Sequence, residues 1–95
     1  MSPLTPEIRE LVQGLSDLGG RAAAAYAPIV DEIVRTRSTD VRHIEHTLDW
    51  MLGFCFDSEM LLLYKKLCRH YFAIDPTATA FYIRAYREMW DSEED

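Results

Sequence analysis

The residues best equipped for chemistry are three histidines, His43, His46 and His70, and two cysteines, Cys55 and Cys68. Asp40, His43, His46 and Asp49 recur every three residues, the spacing of neighbouring ligands on one helix face. A hairpin turning near Phe56 and Asp57 would bring His70 level with His43, and Cys68 level with Glu45. Zinc accepts these ligand types. The faces argue against a site, because His46 points away from the apolar stripe of its helix and His70 lies at the edge of its own. No CxxC, HExxH or paired ExxH motif is present, and a di-iron bundle needs two ExxH helices. The expectation is no metal and no cofactor, with His43, His46 and His70 as the residues that a metal would use.

The same hairpin separates the cysteines. Cys55 sits beside the turn, and Cys68 lies roughly 15 Å further along the axis at 1.5 Å per residue. A disulfide spans Cα separations of at most about 7 Å. Neither cysteine has the neighbouring base and oxyanion donors of a nucleophile. Both are expected to be buried thiols. There is no phosphate-cradling Gly-rich loop and no recognisable acid/base pair of carboxylates, so the chain is expected not to be an enzyme.

Binding is the remaining class. Lys65, Lys66 and Arg69 share one outer helix face with Leu62 exposed among them, and Arg84 and Arg87 extend the basic stripe. These six residues are the candidate partner-binding set, suited to an acidic protein surface. Tyr82, Tyr86 and Trp90 recur at i, i+4, i+8, a spacing that reads first as core and second as an interface.

Helical periodicity must position these groups, since no strand alternation or hairpin-turn signal persists. Thr5, Pro6 and Glu7 open a first helix with the stripe Ile8, Leu11, Val12, Leu15 and Leu18, which Gly19-Gly20 would stop. A second helix over Arg21–Arg35 carries Pro28 inside it, implying a kink or a split. Ser38 and Thr39 are N-cap candidates for a third helix, apolar enough on Val41, Ile44, Leu48, Met51, Leu52 and Cys55 to be central. Asp57 or Ser58 caps a fourth helix. Asp75-Pro76 opens a fifth. All aromatic residues except Tyr26 lie between Trp50 and Trp90, which places the densest core in the last three helices.

The fold expected is all-α, a single-domain compact bundle of four to five helices over residues 1–90, with 91–95 an acidic tail. The 95 residues are too few for two ordinary domains, and 48% apolar with 12% aromatic content is too much for a disordered chain. The net charge of −6 argues against nucleic acid or an anionic membrane as partner. Four of the 16 acidic residues, Asp91, Glu93, Glu94 and Asp95, lie in the last five positions, so the helical body is close to neutral. No stretch resembles a secretory signal or a membrane span, and the cysteines are too few for a disulfide framework. The expectation is a cytoplasmic protein.

These features point to a non-catalytic protein–protein interaction module that self-associates as a homodimer. The first alternative is a small acidic inhibitor or regulator that covers a basic surface of a target enzyme. The second is a His-based metal-binding protein.

Overall fold

Each helix begins where an oxygen-bearing side chain satisfies an amide of the first turn. Thr5 Oγ1 accepts from the Ile8 amide at 3.2 Å, Asp40 Oδ1 from His43 at 3.2 Å, Asp57 Oδ2 from Met60 at 3.0 Å and Asp75 Oδ1 from Ala78 at 3.0 Å. Pro6 and Pro76 occupy the first helical position, where no amide is needed. The computed structural model describes residues 5–91, in four helices: α1 (Pro6–Arg35), α2 (Val41–Leu52), α3 (Ser58–Phe72) and α4 (Pro76–Trp90). Among the described residues there is no strand. The expected acidic tail, apart from Asp91, lies outside them.

Two expectations about the first half of the chain are corrected. Gly19-Gly20 does not stop a helix, because neither glycine adopts the left-handed conformation that a glycine stop uses. α1 runs through both, and through Pro28, as one helix of 30 residues. Pro28 is exposed and so is Ala24, whose carbonyl loses its amide partner and is left to water. The real stop comes later. Arg37 takes φ 54°, its amide donates to Val34 O at 3.2 Å, and the Ser38 amide donates to Ile33 O at 3.0 Å, the pattern of a Schellman motif. Asp40, rather than Ser38 or Thr39, then caps α2. Cys55 falls in the α2–α3 turn, not in the helix that precedes it.

The helices alternate in direction along the chain, and α3 is the hub, packing against α1, α2 and α4. The sequence pattern instead suggested the helix before it. The core joins Val30 and Ile33 of α1, Ile44, Leu48 and Met51 of α2, and Met60, Tyr64, Leu67 and Tyr71 of α3, all fully or almost fully buried. Tyr82 and Thr79 bring α4 onto this core. The expectation that the last three helices hold the densest core is not met: α4 buries only Thr79 and Tyr82, whereas α1 brings Ala23, Val30 and Ile33 against α3.

Length then produces an overhang. α1 is about 45 Å long, whereas a 15-residue helix is about 22 Å. A compact chain of this size has a radius of gyration of about 12 Å. The observed value is 15.3 Å, with a longest dimension of 50 Å. The four-helix bundle is closely packed, and the first half of α1 projects beyond it as an arm.

Candidate functional site

The arm carries the largest continuous run of uncovered apolar side chains. From Thr5 to Leu18 every residue is exposed, and Gly19 is the first buried one. The stripe Ile8, Leu11, Val12, Leu15 and Leu18 is between 40 and 68% exposed although all five share one helix face. Such a face normally meets a core. Its neighbour is the end of the bundle, where Phe56 stacks obliquely on Trp90 at 5.7 Å and the Trp90 Nε1–H donates to Leu52 O at 2.7 Å. Val12 and Leu15 form a groove of about 630 Å³ with Phe56, Asp57 and Trp90. The arm stripe and this aromatic pair therefore make one apolar surface. Its residues were legible in the sequence, but their exposure was not, because the pattern alone reads as core.

The six basic-stripe candidates do not form one surface. Lys65 and Arg69 flank a groove of about 380 Å³ between α3 and α4, walled by Leu61, Cys68, Phe72 and Ile83. Leu62 and Lys66 line a different groove, against Ala23, Ala24 and Ala27 of α1. There Lys66 pairs with Asp31 at 2.8 Å. Arg84 and Arg87 are exposed on α4. Two of the six, Lys65 and Arg69, thus belong to the α3–α4 groove, Leu62 and Lys66 belong to the α1–α3 groove, and Arg84 and Arg87 line neither.

The three histidines are not brought together. His43 and His46 are exposed, His46 packing edge-on against Trp50 with ring centroids 6.3 Å apart. His70 is half-buried, and its Nε2–H donates to Ser38 O at 2.8 Å, which pins the α1–α2 linker to α3. Among the described residues no group of three His, Cys, Asp or Glu side chains is placed to hold an ion.

Cys55 and Cys68 are free and buried. Burial pushes both thiols up to about 12 from an ordinary 9.0, so they are protonated at neutral pH. The thiolate is the reactive species. Both cysteines are therefore expected to react with a disulfide reagent orders of magnitude more slowly in native than in denatured protein. A native-state rate close to the denatured one would show that the core around them opens freely.

A set of polar contacts that sequence reasoning missed ties α2 to α3 and α4. The Tyr71 hydroxyl donates to Glu45, and the Tyr82 hydroxyl donates to Asp49 at 2.9 Å. The Tyr64 hydroxyl donates to Tyr82 O at 2.8 Å. Glu45 and Asp49 are four residues apart, one turn of the same face, and that spacing between two aromatic-rich helices was the available signal. Burial first, and then the carboxylate partners for Tyr71 and Tyr82, raise all three tyrosines above their ordinary 10.0. They are donors held as neutral phenols, and the arrangement fixes helices rather than moving protons.

The same shifts set an alkaline limit on stability. A group whose folded pKa is raised contributes fully below its unfolded value and loses that contribution as pH rises. The thiols begin to lose theirs above pH 9, and the tyrosines above pH 10. The melting temperature is expected to fall steeply above pH 10, with tyrosinate absorbance from these three residues appearing only on unfolding. Titration of all five tyrosines together near pH 10 without loss of helix would contradict the burial described.

No helix among the described residues is long and apolar enough to cross a membrane. Comparison with protein-family models, curated proteins and solved structures found no match for the chain.

Proposed function

We propose that the protein is a non-catalytic interaction module that self-associates through the projecting half of α1. The observation that carries this reading is the arm's stripe, Ile8, Leu11, Val12, Leu15 and Leu18, left uncovered by the other described residues and continuous with Phe56 and Trp90. The proposed occupant is a second copy, because an apolar stripe is complementary to itself across a twofold axis. Two arms packed antiparallel about a point level with Gln13 place Leu11 level with Leu15 of the second copy, and Ile8 level with Leu18. No charged residue interrupts the stripe, since Glu7, Arg9, Glu10 and Asp17 all lie off it. Covering an exposed Leu, Ile or Val contributes roughly 1.5–3 kcal/mol, and these half-exposed residues about half of that each. Ten such residues per dimer supply a favourable term large enough to offset the cost of association.

Methyl NMR over a dilution series locates the contact. Resonances of Leu11, Val12 and Leu15 are expected to move with protein concentration while those of Met51 and Met60 in the core stay fixed. Concentration-independent arm methyls would remove the reading.

A further inference from the structure

The groove between α3 and α4 has a composition that the self-association reading does not use. Leu61, Cys68, Phe72 and Ile83 wall it, and the two polar side chains at its floor are already engaged. Thr79 Oγ1–H donates to Asp75 O at 2.8 Å, and Tyr64 donates to Tyr82 O. The groove therefore asks no polar group of an occupant in its interior. At its rim stand Lys65 and Arg69, one helical turn apart, and among the described residues neither forms an ion pair. No carboxylate is present in the lining. Tyr86 adds a hydroxyl with no partner among the described residues. Arg87, one turn beyond Ile83 on α4, is exposed.

We propose that this groove binds an amphiphile with one anionic head group, its alkyl chain lying between α3 and α4 and its carboxylate held by Lys65 and Arg69. Volume and shape favour a single chain over a peptide helix. The groove's 380 Å³ falls at the lower end of small-molecule sites, which run from about 300 to 1,000 Å³. A helix about 11 Å across with a 1.5 Å rise fills about 140 Å³ per residue, so this groove could accept only a small part of one. Leu61 to Arg69 spans about 12 Å of α3, a length that the greater part of an extended dodecyl chain covers from a head group at Arg69. Charge selects the head group. Two free cations beside an apolar wall attract a carboxylate and repel an ammonium. The lining shares no residue with the surface formed by the arm, Phe56 and Trp90, so this site stands or falls separately from the dimer.

Titration with dodecanoate and with dodecylammonium, both below their micelle concentrations, tests the assignment on the intact protein. Dodecanoate is expected to bind saturably, one per chain, with shifts confined to Cys68, Phe72, Ile83 and Tyr86. Dodecylammonium is expected to bind at least tenfold more weakly. The Lys65→Glu/Arg69→Glu double variant, altered only at exposed positions, is expected to melt as the parent does and to lose about tenfold in dodecanoate affinity while gaining for the ammonium. Equal binding of both head groups, shifts at Leu11 and Leu15 instead of the groove, or an acidic amphipathic peptide binding where dodecanoate does not, would each overturn the proposal.

Discussion

Replacing Leu11 or Leu15 by glutamate is expected to turn a self-associating protein into a monomer without unfolding it. Each substitution removes roughly 0.8–1.5 kcal/mol of apolar burial per copy and puts a charge into an apolar contact, and twofold symmetry counts the change twice. At about 1.4 kcal/mol per tenfold, the dissociation constant should rise at least about a hundredfold. The protomer itself should barely notice. Leu11 and Leu15 are 68 and 55% exposed within it, and exposed substitutions usually stay within about 0.5 kcal/mol. Glutamate is also about as good a helix former as leucine. The control is Gln13→Glu, on the arm but off the stripe, which should leave association unchanged. Size-exclusion chromatography with light scattering reads the masses, and circular dichroism the fold. Equal dissociation by Gln13→Glu would show that added charge, not the stripe, is responsible.

Gly19 and Gly20 should respond to alanine with opposite signs. A Cβ at Gly19 would stand 2.8 Å from Asp57 Cβ and 2.9 Å from Phe56 Cε1. The Phe56 ring can swing aside, but Asp57 Cβ is fixed near the backbone of a residue that caps α3. Overpacking of this kind costs about 1–3 kcal/mol, and loosening the cap adds about 1. The gain in helix propensity over glycine, about 1 kcal/mol, offsets only part of this, and less for valine than for alanine. At Gly20 nothing lies within 4 Å, so alanine should gain about 0.5–1 kcal/mol. For a domain of this size 1 kcal/mol moves the melting temperature by about 4–8 °C. Gly19→Val is expected to lower it by about 10 °C or more, and Gly20→Ala to raise it by a few degrees. Stabilisation by alanine at both positions would mean that α1 does not approach the α2–α3 turn so closely.

These two residues also show where the chain could be read directly and where it could not. The helix starts at Thr5, Asp57 and Asp75 depend on side chains reaching their own first turn, so local sequence sufficed for them. The adjacent glycines looked like a stop because glycine is the usual helix terminator. Which role a glycine plays is decided by what packs on it, and Asp57 is 38 positions away. The overhang was hidden for a related reason. The stripe from Ile8 to Leu18 has the periodicity of a buried face, and periodicity cannot report whether a partner helix is long enough to cover it. The basic stripe divided because α1 lies across one edge of α3, which takes Leu62 and Lys66 to the α1 side. The burial of both cysteines and the exposure of Leu62 followed from helix faces alone.

Sedimentation equilibrium of the intact protein from low to high micromolar concentration bears most directly on self-association through the arm. The expected result is a reversible rise in mass from the 11.0 kDa chain toward twice that value, abolished by Leu11→Glu. A strictly monomeric mass across the whole range would contradict it.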